Sequence, residues 1–455
     1  MTVTNWFGDI SSHPAAVADA ASVDDVVEIL KDPQRYPAPV RSAGSFHSTA
    51  GCGAADGGTL VRMNGLNRIL GYGPDTVTVQ AGAIYIDIAK DLEKHGLQLY
   101  VNTEIGNLSA GSAACCGTKD ASMPGEFGQV GSYISRLKMV LPDGSIQEIG
   151  EDQPEVLQKV RSSYGTFGIV TEVTFRVRPQ IPLAVHHETY HIDEFVDRLP
   201  ELLVSGESIM LYLFPFEDLV TVEFRRYHPE AGGEPDRVVW PLRNYMWATA
   251  GPAFCARVEE DVPIPELRYR IVDGFCQLWR FKLENLVKSG NTVAGDQIIR
   301  YPSPAGGSKY TFSFWAMPEE NYGTILPAFY QFCRKYYETA GYRVNMLCVG
   351  YRVLKDRESL LSYSWNGNMI TIDPVSTANP GWEKFLPVYN EFCSDHGGVP
   401  LLNQTPWLTR AQVEKALGDR WREFGETRRA YDPGNRLLNT YFRDLLGESA
   451  QSAGR

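Results

Sequence analysis

The sequence predicts an α+β protein built on more than one core, and three observations carry that reading. The chain has 455 residues, and a domain usually takes about 100–200. Residues 24–180 alternate short β-patterns with helices and Gly-rich turns. Residues 181 to about 425 carry aromatic-rich segments that read as an antiparallel sheet with covering helices.

The first region can be read element by element. Pro37 to Ala43 reads as a strand ending in a turn. Thr76 to Gln80 alternates as a strand does. The helix after it has Ile84, Ile88 and Leu92 one turn apart, with Gly96 where a C-terminal cap belongs. Leu137–Leu141 and Ser145–Ile149 flank Asp143-Gly144, a hairpin signal. Ile169 to Arg178 alternates until Pro179. In the second region Tyr310–Trp315 and Leu360–Trp365 read as strands, Asn366-Gly367 as a hairpin turn, and 321–340 and 380–396 as helices. The stretch from Tyr431 to Asn439 is polar and turn-rich before a short last helix.

Composition narrows the function classes. Hydrophobic content of 43% and charged content of 22% are those of a globular chain. A net charge of −12 argues against nucleic acid or an anionic membrane as a partner. No apolar run approaches the roughly 18–20 residues of a membrane span. The N-terminus lacks the basic region and apolar core of a secretory signal. Eight scattered cysteines form no C-x-x-C pair, which fits a reducing, cytoplasmic location.

There is no G-x-G-x-x-G, P-loop or G-x-S-x-G motif, which disfavours a Rossmann site and an α/β-hydrolase. Two small-residue segments stand out instead, Arg41–Ser48 and Ser109–Thr118. Small residues let backbone approach a ligand, and successive free N–H groups can cradle phosphate oxygens. Taken alone, the two segments could equally be ordinary tight turns.

A resemblance decides between these readings. Asn5–Gly8, Arg41–Ser48, the strand–helix unit Val79–Gly96, Gly111–Thr118, Leu141–Ser145, Gly165–Thr171 and the tail Asp432–Asn439 with Arg443–Gly447 occur in order. Together they resemble the aldonolactone and alditol oxidases of the vanillyl-alcohol-oxidase superfamily. The likeness is strong over 1–180 and 430–447 and thin between them. It implies a two-subdomain FAD-binding domain over 1–180, a substrate domain over 181–425 whose sheet covers the flavin, and a return to the first domain over 426–455.

The resemblance also implies site residues. His47 stands where many members bond the flavin 8α-methyl. Ser42, Ala43, Gly44, Ser45, Phe46 and Ser48 would line the flavin and pyrophosphate. Ser109, Gly111, Ser112, Ala113, Ala114 and Gly117 belong to the second loop, with backbone N–H groups of 111–114 on the pyrophosphate. Ile169 or Val170 would lie at the adenine end, or in plain core. Relatives have Gly-Thr-His-Gly where this chain reads Gly117-Thr118-Lys119-Asp120, so Lys119 is expected either on phosphate or in solvent.

Departures bear on the substrate. The family's acidic residue two before an Arg would be Gly350 before Arg352, and its His-x-Gly-Lys stretch is not recognisable in Val399–Thr405. A small polyol or sugar lactone is therefore disfavoured. The expected reaction is hydride transfer from a CH–OH group of a bulkier or less hydroxylated substrate to FAD, with O2 as acceptor. Alternatives are a flavin-dependent desaturase or oxidative cyclase, and a silent flavin-binding protein. Candidate catalytic groups are Arg352 as a charge stabiliser, His396, Tyr363 and Tyr351, the last pointing opposite Arg352 in a regular strand. Cys115 and Cys116 read as buried thiols. His186, His187 and His191 lack a matching carboxylate or Cys cluster, so no metal is expected.

Overall fold

The computed structural model describes residues 1–234, 237–299 and 309–448. Its first layer is a small parallel sheet, in which Thr59–Arg62 lies between Ala16–Asp19 and Val40–Ala43. The helix Val23–Lys31 crosses between strands and begins with a capping box from Ser22 and Asp25. A second, antiparallel sheet runs in the order Ile146–Gly150, Ile134–Val140, Ile169–Pro179, Thr76–Gln80, Ile69–Tyr72. Leu97–Leu99 pairs with the far end of Ile169–Pro179. The helix Tyr85–Lys94 buries Ile88 and Leu92 as their spacing predicts, and Gly96 takes a left-handed φ of 65° after it.

An eight-stranded antiparallel sheet follows. Its order is Ser289–Thr292, Leu183–His191, Leu219–Tyr227, Ser208–Phe214, Cys348–Val353, Met369–Ile372, Trp315–Pro318, Val399–Pro400. Both faces are covered, so Ser208–Phe214 is buried at every residue. One face, with Leu211, Cys348 and Ile370, packs on the helices Ile192–Leu203, Tyr322–Ala340 and Trp382–Asp395. The other, with Tyr212, Val349 and Tyr351, meets Ala121 and Met123 of the first region and the helices Gly251–Asp261 and Pro265–Leu286. The closing helices Arg410–Leu417, Asp419–Tyr431 and Thr440–Leu446 pack back on the core of the second sheet.

Three local expectations are corrected. Leu360–Trp365 is a run of turns, and Asn366-Gly367 ends the long connection 354–368 instead of making a tight hairpin. Gln129 Nε2 reaches Asp356, Ser362 and Ser364, which holds that stretch on the first region and off the sheet. Tyr310–Trp315 breaks into Thr311–Phe312, which pairs with Val375–Ser376, and Trp315–Pro318. The second small-residue segment, readable alone as a tight turn, contains a short helix, Ala110–Cys115. The helices between 239 and 286 were not foreseen.

Candidate functional site

The first small-residue segment leaves the strand Val40–Ala43 and forms one wall of a cleft. Ser42, Ala43, Gly44, Ser45, Phe46, His47 and Ser48 all line it. Facing them are Ser109, Gly111 and Ser112, then Cys115, Cys116 and Thr118, with Tyr164, Gly165 and Val170 along one side and Asn403 and Gln404 at the other. The two walls approach closely at Gly44, where a Cβ would sit 2.0 Å from Ser109 Oγ. Only glycine leaves the walls where they are.

Arg41 fixes the wall from behind. Its guanidinium donates to the carbonyls of Cys52 (2.8 Å), Tyr164 (2.5 Å), Gly165 (2.9 Å) and Leu437 (3.0 Å). Asn439 Nδ2 adds bonds to the carbonyls of Gly51, Cys52 and Ala54. The C-terminal tail thus clamps the first loop, and both ends of the chain build one site.

Phe46 holds a left-handed φ of 57°, which turns the chain so that His47 enters the cleft. The imidazole packs against the Trp6 ring, with centres 4.8 Å apart and planes tilted by 34°. Burial, partly offset by a hydrogen bond with Asn107, lowers its pKa to about 4, so it is neutral near pH 7. Its Nε2 is out of solvent with no hydrogen-bond partner, as are Ser45 Oγ and Asn403 Oδ1 on the same cleft. Buried polar atoms of native proteins are rarely left unpaired. Orphan groups on two segments facing one cleft fit a polar ligand such as the cofactor.

The other expected cofactor residues divide. Val170 lines the cleft, whereas Ile169 is in the core with Val140 and Leu437. Ala113 and Ala114 turn into the core. The N–H of Gly111 is taken by the carbonyl of Ala81 and that of Ala113, within the helix, by the carbonyl of Ser109, so the expected row of free amides over 111–114 is not present. Gly117 lies outside the lining, with a Cβ position 2.4 Å from Leu401. Lys119 faces neither phosphate nor solvent. Its Nζ is 3.2 Å from Asp373 Oδ2 and 3.5 Å from the centre of the Tyr351 ring. Burial lowers the Lys119 pKa and pushes Asp373 up to about 6, against the attraction of each for the other.

The catalytic expectations change more. Arg352 points to the helix-covered face of the large sheet, away from the cleft. Its Nε bonds Glu319 Oε2 at 2.6 Å and its Nη1 bonds the Leu203 carbonyl at 2.7 Å. His396 caps the helix Trp382–Asp395, with Nδ1 2.7 Å from the Phe392 carbonyl. Tyr363 is buried against Phe314. Alternation does set Tyr351 opposite Arg352, but Tyr351 is the one that faces the first region, with its hydroxyl donating to Glu104 Oε2 at 2.9 Å.

A buried charge network surrounds Tyr351, and it was not foreseen. Arg225 bonds Glu223 (2.6 Å) and Asp120 (2.8 Å), and Arg243 bonds Glu104 (2.7 Å) and lies 3.3 Å from Glu223. His187 and the Tyr212 hydroxyl both reach Glu223 Oε2 at 2.9 Å. The two arginines hold the Glu223 carboxyl well below its usual range despite burial, while burial raises Asp120. The segment 118–120 joins cleft to network, since Thr118 lines the first while Lys119 and Asp120 enter the second. One signal was available. The acid-x-Arg spacing sought at Gly350-x-Arg352 is present as Glu223-x-Arg225, on a strand of the same sheet facing the first region.

Comparison with known proteins agrees with this architecture. The family model described as an FAD binding domain matches residues 14–150. L-gulono-1,4-lactone dehydrogenase of Mycobacterium tuberculosis is 21% identical over 447 residues, covering 98% of this chain and 99% of that protein. L-gulonolactone oxidase of Mus musculus is 23% identical over 453 residues, with 97% of each chain covered. A solvent-stable cholesterol oxidase superposes with a TM-score of 0.75 at 18% identity, over 98% of this chain and 97% of that one, and so shares its fold.

Proposed function

Starting from a chain that belongs with the FAD-linked oxidases and dehydrogenases of CH–OH groups, we propose that it oxidises an alcohol bulkier or less hydroxylated than a polyol or sugar lactone, using FAD bonded to His47. When bound, FAD supplies the hydride acceptor, with O2 as the terminal oxidant. The observation that carries the reading is the buried, neutral His47 with an orphan Nε2 on the cleft. A neutral imidazole keeps the lone pair that a bond to carbon requires. Ser45, Ser109, Ser112 and Asn403 supply polar atoms for the cofactor, and Val170 an apolar wall.

The substrate side follows from Tyr351 and its neighbours. An alcohol must lose its hydroxyl proton as the hydride leaves. We assign the proton to the Lys119–Asp373 pair, whose members are shifted toward neutrality by burial from opposite directions. Tyr351, under Lys119 and anchored to Glu104, orients the hydroxyl. Arg225 and Arg243 hold Glu104, Asp120 and Glu223 in place. The buried apolar cluster around Tyr351, which includes Phe314, Val349 and Leu401, favours a substrate with few hydroxyls.

Anaerobic mixing with an alcohol panel tests this reading. Flavin bleaching is expected with at least one aromatic or alicyclic alcohol, and colour should return on admitting O2. Bleaching by sugar lactones and polyols alone would overturn the substrate assignment. Lys119→Met and Asp373→Asn should slow bleaching by roughly two orders of magnitude or more, with FAD content unchanged.

A further inference from the structure

Gln98 and Arg178 stand directly opposite each other where Leu97–Leu99 pairs with Ile169–Pro179. Near them is the end of Leu219–Tyr227, which turns Arg225 and Tyr227 inward and the exposed Arg226 outward. All four inward residues line one pocket, together with Asn102, Asp120, Met123, Phe127 and Leu183. It shares no lining residue with the cofactor cleft. It reaches the surface at Phe127, which is 37% exposed. Four polar atoms of its lining residues are buried without a hydrogen-bond partner: Gln98 Nε2, Arg178 Nε, Asn102 Oδ1 and Asp120 Oδ1. Three of these side chains are fixed by their other atoms. Gln98 Oε1 accepts from the Ile181 N–H at 2.9 Å, which leaves its amino end unpaired. Asp120 Oδ2 accepts from Arg225 at 2.8 Å. Arg178 bonds Glu126 and the Tyr227 hydroxyl, and its guanidinium lies 4.6 Å from both the Tyr100 and the Tyr227 ring centres. Arg225 and Tyr227 are two residues apart, roughly 7 Å along the strand. The acceptor that Arg225 anchors and the donor that Tyr227 anchors are thus set about a small molecule's width apart.

We infer that this pocket binds a neutral primary carboxamide carried on a short apolar chain. The amide oxygen accepts from Gln98 Nε2 and Arg178 Nε, and the amino group donates to Asp120 Oδ1 and Asn102 Oδ1. Two donors and two acceptors have to be met, and a primary amide has two of each to offer. A carboxylate has no proton for Asp120 or Asn102. An alkylammonium has nothing for Gln98 or Arg178 to donate to. A single water meets all four but leaves the apolar part of the lining, Met123, Phe127 and Leu183, without a partner. Small-ligand sites join a few placed polar groups to an apolar wall in this way. Asp120 belongs to the pocket and to the buried charge network, so a ligand here touches a member of that network.

Propionamide is the probe, with propionate and propylammonium at equal ionic strength as controls. A ligand of so few atoms is expected to bind with a Kd of about 1 mM. Melting of the FAD-loaded protein is therefore followed up to about 100 mM ligand. Propionamide should raise the melting temperature by about 2–3 °C, and the two ions should not. Asn102→Leu removes an acceptor that the fold leaves unpaired. It should abolish the shift, while flavin content and the melting temperature without ligand hold. A crystal of the propionamide complex should show the amide on Gln98, Arg178, Asn102 and Asp120. The inference is overturned by no shift, by an equal shift with propionate, or by a shift that survives Asn102→Leu. Ordered water that stays on the four atoms when propionamide is added overturns it too.

Discussion

A neutral imidazole is the form His47 brings to the cleft, and that state has a cost in acid. Its pKa falls from 6.5 to about 4 on folding, so between those values the unfolded chain binds the proton more tightly. Stability attributable to this group is complete above pH 6.5 and is lost as pH falls toward 4, by up to about 3 kcal/mol. Flavin-free wild type should thus lose stability relative to His47→Gln over that window, measured by denaturant titration at each pH, and the two should run parallel above it. Asp373 carries the opposite sign. Its folded pKa of about 6 lies above the 3.8 of a free aspartate, so ionising it weakens the fold as pH rises through that range. The bleaching rate should accordingly fall below about pH 6 in wild type, and Asp373→Asn should flatten the profile. Arg352 belongs to the architecture. Its pairing with Glu319 and Leu203 predicts that Arg352→Ala costs about 1–3 kcal/mol while stopped-flow flavin reduction stays at the wild-type rate. A large rate loss with intact stability would return Arg352 to the active site.

Elements whose signal is local could be read from sequence. Thr76–Gln80, Tyr85–Lys94 and Ile169–Pro179 have one partner-facing stripe each, and alternation or a 3.6-residue period exposes it. Leu360–Trp365 misleads because its aromatics suit a strand while its serines bond Gln129 across more than two hundred residues. The helix Pro265–Leu286 hides because apolar residues on two faces blur its period. Arg352 was assigned to the wrong face because alternation tells which residues share a face, not which face meets the cofactor domain. The Gly44 turn was legible as a small-residue loop, and its reason is the approach to Ser109. Gly44→Ala should therefore lower the flavin-to-protein ratio and destabilise by about 1–3 kcal/mol. Adding Ser109→Gly should restore both, since it removes the atoms at 2.0 and 2.7 Å. Failure of that rescue would mean that Gly44 matters for another reason.

At the scale of the molecule, the site depends on segments far apart in the chain. Arg41 joins residues 52, 164, 165 and 437, and Asn439 ties the last helix to the first loop. The resemblance at both chain ends was visible in the sequence. The network of buried charges was not, because Glu104, Asp120, Arg243 and the strand carrying Glu223 and Arg225 lie on separate segments and meet only in the folded chain. Asn439→Ala removes a helix cap and three carbonyl contacts, so it should cost about 2 kcal/mol or more and loosen flavin retention, read by denaturation and by absorbance after gel filtration. The central claim concerns His47 and is tested most directly by peptide mapping of acid-precipitated protein. The flavin should remain with the pellet and appear in mass spectra on the peptide containing His47, and it should be absent from that peptide in His47→Ala. Flavin released wholly into the supernatant, or found on any other residue, would contradict the account.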